Sequence, residues 1–289
     1  NYMPELPEVE VVKKSLEKKL KNLTIKDVNI INNNLRYKID NKQFNKIKGQ
    51  KIISIKRRSK YLLINLNKNL TILAHLGMTG NFFIIDDNKK YKTSFYYSLK
   101  KNDKKHDHIT FFFNKKINLI YNDVRKFGFI KIFPSKDVFN CVHLLSLGPE
   151  PLSNDFNLTY FNKYILNKKT KIKNLLMDQK FVAGLGNIYC NEILFLCKIT
   201  PTRSVSKINH QEKKKIMFFI KKILKQAIML GGSSIKNFSS TGGQEGNFQQ
   251  KFNVYNKDKV SCNRLKCLGI IRKVYTSNRS SFFCPKCQK

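Results

Sequence analysis

Cys262 and Cys267, followed after sixteen intervening residues by Cys284 and Cys287, constrain the fold of this chain more than any other feature. Two cysteine pairs separated by a hairpin-length segment bring four thiolates together, the ligand set of a tetrahedral Zn²⁺ site. Residues 274–276 and 281–283 read as the two strands between the pairs, and Arg279 falls near the hairpin tip. A metal holds such a tip rigid, which suits inserting an arginine into a groove. Cys141, Cys190 and Cys197 sit singly in apolar or mixed contexts. An odd total of seven, with paired spacing, points to metal binding in a reducing compartment rather than to disulfides.

The formal charge of +37 calls for a polyanionic partner, and a nucleic acid is the natural one. The chain is also rich in Asn and Ile, so an A+T-biased genome has a share in the lysine count. The charge therefore supports nucleic-acid binding without locating a site. A length of 289 residues suits two modest domains, each able to bury a core. No apolar run approaches the roughly 20 residues that a spanning helix needs, and no signal peptide is expected.

After Pro7, Val9, Val12, Leu16 and Leu20 recur at helical spacing with lysines between them, which predicts an amphipathic helix packed on a sheet. From about residue 24 to 133 the pattern is that of strands. Leu62, Ile64 and Leu66 alternate with Leu63 and Asn65, and residues 109–113 and 117–121 flank Asn114-Lys115-Lys116 as a hairpin would. Gly148-Pro149-Glu150-Pro151-Leu152-Ser153 reads as a linker. Beyond it the chain turns mainly helical. Ile216, Ile220, Ile223, Ala227 and Leu230 mark a long helix that stops at Gly231-Gly232. Residues 239–246 are rich in Gly, Ser and polar residues and read as a loop.

Pro4-Glu5-Leu6-Pro7-Glu8 carries the most suggestive chemistry. A proline at a mature N-terminus has a secondary amine that can attack a carbonyl-like carbon and form an iminium ion, and a neighbouring glutamate can move protons. Asn1, Tyr2 and Met3 precede it, and an amide nitrogen is not a nucleophile. The catalytic reading therefore needs translation to begin at Met3 and Met3 to be removed. Otherwise the pentapeptide is a proline-rich turn ahead of a helix. Gly184-Leu185-Gly186-Asn187 permits a tight turn into a helix over 188–196 whose exposed N–H groups attract phosphate, or simply a packing turn. Lys60, after Arg57-Arg58-Ser59, opens a strand as a solvated charge or a proton-handling group. Met78, in His75-Leu76-Gly77-Met78-Thr79-Gly80, and Phe127, in Asp123-Val124-Arg125-Lys126-Phe127-Gly128, are core residues or wedges that enter a base stack. His106 and His108 at i, i+2 in a strand would share a face. With no third ligand nearby, they read as a phosphate contact or a structural hydrogen bond.

In order and spacing these segments resemble the bacterial formamidopyrimidine-DNA glycosylases, and the resemblance runs over nearly the whole chain. Leu6 between Glu5 and Pro7, together with His75-Leu76-Gly77-Met78, favours this family over its endonuclease VIII-type sister, which acts on oxidised pyrimidines. The resemblance implies an α+β chain: an N-terminal catalytic β-sandwich with flanking helices over 1–147, a linker over 148–154, a helix-two-turns-helix domain over 155–250 and a zinc-ribbon hairpin over 251–289. It implies a bifunctional glycosylase and AP lyase that removes 8-oxoguanine and formamidopyrimidines. Pro4 would attack the sugar C1′ of a flipped nucleotide, Glu5 would act as general acid–base, and Glu8 would support the site structurally. Lys60 would contact phosphate and assist elimination, and Arg279 would serve the δ-elimination and clamp phosphate. His75, His106, Arg125, Lys169 and Asn187 match DNA-contacting positions. Met78, Arg125 and Phe127 match the trio that fills the gap left by base flipping. The loop over 239–250 is the candidate lid on the damaged base. The implied partner is double-stranded DNA containing oxidised bases, met by a monomer in the bacterial cytoplasm, with the nucleoid, without a membrane and with one structural Zn²⁺.

Three positions depart from the family pattern. The first cysteine pair encloses four residues where the family has two, Lys126 replaces a second Arg, and Val124 replaces a Pro. Charge survives at Lys126 but fork geometry does not. Retention of Asn1-Tyr2 would turn the chain into a DNA-damage binder on the same scaffold. A ribosome-associated zinc-ribbon protein fits the charge and the cysteines but leaves Pro4-Glu5 with Lys60 unexplained.

Overall fold

The computed structural model describes residues 3–87, 89–93, 104–231 and 251–289. It divides into two compact units. Among the described residues, one holds those up to 145 with 228–231, and the other holds 146–227 with 251–289.

The first unit opens with α1 (Leu6–Leu20), whose start is fixed by its own side chains. Pro7 sits in the first turn, where its missing N–H costs nothing, and the Glu8 carboxylate accepts the Glu5 backbone N–H at 2.9 Å. The predicted stripe Val9, Val12, Leu16 and Leu20 is fully buried. After β1 (Ile25–Ile30) comes a short α2 (Asn41–Asn45), capped by Asp40 accepting from the Lys42 N–H. The remaining strands are β2 (Ile52–Arg58), β3 (Tyr61–Leu66), β4 (Leu70–His75), β5 (Gly80–Asp86), β6 (Lys89–Lys92), β7 (Asp107–Phe113), β8 (Asn118–Asp123) and β9 (Phe129–Pro134). They form two antiparallel sheets, ordered β1-β7-β8-β5-β6 and β2-β3-β4-β9.

One apolar core takes Ile55, Leu62, Ile64 and Ile72 from the smaller sheet, Phe82, Ile84, Ile109, Phe111 and Tyr121 from the larger, and the α1 stripe. This is the expected two-sheet body with a helix. The alternation in β3 is real, but Leu63 is buried as well as its neighbours, so that strand is covered on both faces. The expected 114–116 turn joins β7 to β8.

The second unit contains α3 (Leu158–Ile165), α4 (Ile172–Met177), α5 (Asn187–Cys197) and most of α6 (His210–Met229), then the hairpin β10 (Arg272–Thr276) and β11 (Arg279–Phe283). Asn157 caps α3 through the Tyr160 N–H. The α6 residues Ile216, Ile220, Ile223 and Ala227 are buried as the periodicity required. The hairpin turn is Ser277-Asn278, both at positive φ (49° and 58°), the geometry of a two-residue type I′ connection.

Helix α5 holds this unit together. The Glu192 carboxylate, 2 % exposed, accepts the backbone N–H groups of Asn253, Val254 and Tyr255 at 2.7, 2.9 and 2.8 Å and the Asn253 side chain at 2.9 Å. Asn191 Oδ1 accepts the Phe282 N–H at 2.8 Å. Each partly charged hydrogen bond of this kind contributes about 1.5–3 kcal/mol, and an orphaned buried donor costs about 1–3 kcal/mol. Glu192→Ala is expected to destabilise the protein by several kcal/mol in chemical unfolding. Hydrogen exchange should lose protection at residues 253–255 while β3 and β4 keep theirs.

Candidate active site

Arg57 links the start of the chain to the turn that carries Lys60. Its Nε donates to Glu10 Oε2 on α1 at 2.7 Å, and its Nη1 donates to the Ser59 carbonyl at 2.9 Å. Ser59 and Lys60 form the two-residue loop between β2 and β3, with Ser59 buried and at φ 55°. A non-glycine residue there is uncommon, so the surrounding contacts fix the loop. Glu5 is 3 % exposed, and Glu8 is committed to the helix start.

The segments carrying Met78 and Phe127 meet around Asp123. The Asp123 carboxylate, fully buried, accepts from the Thr79 hydroxyl, the Gly128 N–H (2.8 Å), the Tyr121 hydroxyl (3.2 Å) and the Arg125 N–H (3.3 Å). The Arg125 N–H also reaches Thr79 Oγ1 at 2.9 Å. The backbones approach so closely that a Cβ on Gly77 would lie 2.5 Å from the Gly128 nitrogen, and one on Gly128 would lie 2.0 Å from the Tyr121 oxygen. A cavity of about 600 Å³ results, lined by Met3, Arg36, His75, Met78, Arg125 and Phe127 among others. The Arg125 guanidinium lies 4.6 Å from the Phe127 ring, which is 47 % exposed. The three residues read as wedges from the sequence thus line one space.

His75 ends β4 at this cavity. Its Nδ1 accepts the Gly77 N–H at 3.1 Å, and its ring packs on Tyr61 (4.9 Å) and Phe129 (5.7 Å). Burial, then the charges of Lys60 and Arg36 and the nearby His143, push its pKa down to about 3. It is a neutral imidazole, suited to directional hydrogen bonding. The sequence reading missed Arg36, Tyr37, Tyr61 and His143, which surround His75 with Phe129. His143 lies 4.5 Å from Phe129 and 5.5 Å from Tyr37, whose ring carries Lys131 Nζ at 3.7 Å. These residues span positions 36 to 143, so no local pattern signals them.

The histidine pair needs correction. His106 ends a 3₁₀ turn (Lys104–His106) before β7 begins, and the register shifts between Asp107 and Ile109. Strand alternation therefore does not place the two rings on one face. His108 is buried and structural, with Nε2 2.8 Å from the Asp123 carbonyl. His106 is half-buried at the unit's edge.

The second unit carries the other candidates. Asn187 is the first residue of α5, and Gln179 braces the turn before it, accepting the Gly184 N–H at 2.8 Å and donating to the Leu185 carbonyl at 2.7 Å. Lys169 lies in the segment between α3 and α4, where its carbonyl accepts from the Ser204 hydroxyl at 3.3 Å. Arg279 is exposed beside the hairpin turn and pairs with Thr276. The buried Lys173 of α4 steadies that turn, donating to the Ser280 carbonyl at 2.8 Å and to Ser281 Oγ at 2.7 Å. The candidate lid over 239–250 lies outside the described residues.

The four cysteine sulfurs lie within 4.8 Å of one another, with Cys262 to Cys287 at 3.9 Å and Cys267 to Cys284 at 3.7 Å. A tetrahedral metal with bonds of about 2.3 Å sets sulfurs about 3.8 Å apart, so these residues fit a bound ion. Cys197, by contrast, is an inert thiol that burial pushes up to about 12. No helix among the described residues is long and apolar enough to cross a membrane.

Comparison with known proteins agrees with this arrangement. Residues 3–130 match the formamidopyrimidine-DNA glycosylase N-terminal domain, and residues 147–239 match the H2TH domain of the same enzymes. A formamidopyrimidine-DNA glycosylase of Rickettsia bellii is 41 % identical over 99 % of this chain and all of its own, and one of Wolbachia pipientis is 37 % identical over the same shares. Among solved structures, the Lactococcus lactis enzyme bound to abasic-site DNA is 32 % identical with a TM-score of 0.84, covering 99 % of both chains. A variant of it bound to DNA containing Fapy-dG is 33 % identical with a TM-score of 0.85, covering 99 % of this chain and 100 % of its own. Fold and matched domains define a DNA-repair glycosylase. The chain belongs to the formamidopyrimidine-DNA glycosylase family, whose members combine glycosylase with AP lyase activity.

The depressed His75 pKa makes a pH prediction. As pH falls through 6.5 the unfolded chain takes up a proton at this position, while the folded chain resists until about 3. The His75 contribution to stability is therefore complete above pH 6.5 and declines as pH falls across that window. His75→Gln is expected to flatten the loss of stability between pH 6.5 and 5 in urea titrations.

Proposed function

We propose that this protein excises oxidised purines, 8-oxoguanine and formamidopyrimidines, from duplex DNA and then cuts the strand at the abasic site. The observation that carries this reading is the Arg57 link between α1, which begins directly after Pro4-Glu5, and the Ser59-Lys60 turn, beside a cavity lined by His75, Met78, Arg125 and Phe127. The Lactococcus lactis relative's complexes with abasic and Fapy-dG DNA support the substrate class.

In this reading Pro4 is the mature N-terminus, freed by loss of residues 1–3, and the family match opening at Met3 supports that start. The Pro4 nitrogen bonds to the sugar C1′ and gives up its proton as the bond from C1′ to the damaged base breaks, and the base departs with a proton. The C1′–O4′ bond then breaks with a proton delivered to O4′, which opens the sugar and leaves the iminium; that iminium drives β-elimination of one phosphate and δ-elimination of the other. Glu5 moves the protons. Lys60 neutralises phosphate and assists elimination, and Arg279 clamps phosphate for the δ step. His75, His106, Arg125, Lys169 and Asn187 contact DNA. Met78, Arg125 and Phe127 fill the space vacated by the flipped nucleotide, offsetting an extrusion cost of about a few kcal/mol. The +37 charge supplies affinity that falls steeply with salt. The four cysteines hold one structural Zn²⁺, which keeps the Arg279 hairpin rigid.

Borohydride trapping on an 8-oxoguanine:C duplex, with mass analysis of the cross-linked peptide, tests the nucleophile. The expected cross-link is at Pro4 with residues 1–3 absent; a cross-link elsewhere sinks the assignment. Glu5→Gln is expected to slow excision by at least about 100-fold while lesion binding persists. Undiminished excision removes Glu5 from the mechanism, and preference for thymine glycol over 8-oxoguanine transfers the chain to oxidised pyrimidines. Cys284→Ser is expected to lose the ion and weaken DNA binding. Full affinity in metal-free protein counts against the structural role of zinc.

A further inference from the structure

Tyr61, His75 and Phe129 form one row across β3, β4 and β9, because Tyr61 pairs with His75 and His75 with Phe129. Cross-strand neighbours of this kind share a face of the sheet. The apolar core between the sheets takes Ile130 and Ile132 from β9, so Phe129 projects on the opposite face. It is buried there all the same, 1 % exposed. Its ring lies nearly parallel to the His75 imidazole, at 5.7 Å and 19°. Behind it stand His143 at 4.5 Å and Tyr37, edge-on, at 5.2 Å. The backbone beside it is pinned as well, since the Gly128 N–H donates to Asp123 and the Gly128 carbonyl accepts the Arg36 N–H at 3.3 Å. Phe129 is therefore a fixed wall against which the imidazole rests.

His75 needs such a wall. The Gly77 N–H donates to its Nδ1, which leaves the ring proton on Nε2. One hydrogen bond sets the tautomer but still lets the ring rock, and an aromatic face packed in offset stacking restrains it. A side chain ordered beforehand costs less to order on binding. The charged groups around the ring are Lys60 before β3, Arg36 after β1, Lys131 on β9, and Arg125 and Lys126 across the cavity. Tyr61 and His143 complete its titratable surroundings. Burial, then Lys60, Arg36 and His143, disfavour the imidazolium.

We propose that Phe129 is a positioning residue for DNA binding: it clamps the His75 ring so that Nε2–H is presented at the cavity to a phosphate oxygen of the DNA backbone. The proposal rests on the reading of His75 as a DNA contact and goes beyond it by naming what aims that contact.

The test uses the full-length protein in five forms: wild type, Phe129→Leu, His75→Ala, the double variant and Ile130→Ala. Affinity is measured for a duplex carrying a tetrahydrofuran abasic-site analogue. The histidine rings are followed by nitrogen NMR between pH 8 and 5. In wild type His75 is expected to stay neutral with its proton on Nε2 throughout. His75→Ala should weaken binding about 10-fold or more. Phe129→Leu should weaken it about 3- to 10-fold, and its His75 should populate both tautomers and begin to titrate. In the double variant the Phe129 change should cost nothing beyond His75→Ala. Ile130→Ala opens the core on the other face of β9 and should bind as wild type does. If Phe129→Leu fails to fold, His143→Leu, which removes the ring behind Phe129, carries the same comparison.

Wild-type affinity in Phe129→Leu, or a loss that persists in the His75→Ala background, overturns the proposal alone. So does an equal loss in Ile130→Ala, since general loosening would then suffice, and so does a wild-type His75 that titrates near its ordinary value. Undiminished binding by His75→Ala overturns the reading of His75 as a DNA contact and this proposal together.

Discussion

The Asp123 carboxylate gathers four donors, from its own strand β8 and from two loops far apart in sequence, and the proposed DNA-facing edge of the first unit depends on it. A buried carboxylate is tolerated only when its lone pairs are filled, and here backbone N–H groups and two hydroxyls fill them. Because Arg125 and Gly128 donate through their backbones, the side chains of Arg125 and Phe127 stay free to project. The charge fixes the loop, and the loop aims the side chains. His108 adds a fifth contact through the Asp123 carbonyl, so the end of β8 is held by both its backbone and its side chain.

The second unit uses the same device with a different element. Glu192 and Asn191, consecutive on α5, reach residues 253–255 and Phe282, so one turn of helix grips both the entry to the cysteine region and its second strand. Lys173 on α4 holds the far end of that strand. The hairpin carrying Arg279 has only a small core of its own, built on Phe195, Val254, Ile271, Phe282 and two cysteines. Too little apolar area is buried there to fix an arginine tip unaided, and buried polar anchors and four clustered cysteines that could hold a metal ion sit around it.

Much of the fold was legible in the sequence because it rests on local periodicity. The α1 stripe, the 114–116 turn, the α6 face and the cysteine hairpin each follow from residues within one element. The candidate site was legible where short motifs carry it: Met78 and Arg125 with Phe127 line one cavity. The aromatic and cationic surroundings of His75 were not, because Arg36, Tyr61, Phe129 and His143 meet only through the pairing of β3, β4 and β9 and the loops beside it. The histidine pair misled for a similar reason. Alternation is a rule about strands, and β7 starts one residue too late to include His106. Nor does Glu192 stand out in the sequence, since an acidic residue in a helix is usually solvated.

The cysteine region also bears on how such sites vary between relatives. The first loop encloses four residues, yet the four sulfurs keep metal-binding separations, and Leu265 within it turns outward, 88 % exposed. Gly269 is the fixed point, since a Cβ there would lie 2.4 Å from the Cys284 sulfur. What such a site requires is the position of the sulfurs, and more than one length of chain between them can meet it. A signature written with rigid cysteine spacing would pass over this chain, whereas one written on sulfur geometry and the close-packed glycine would retain it.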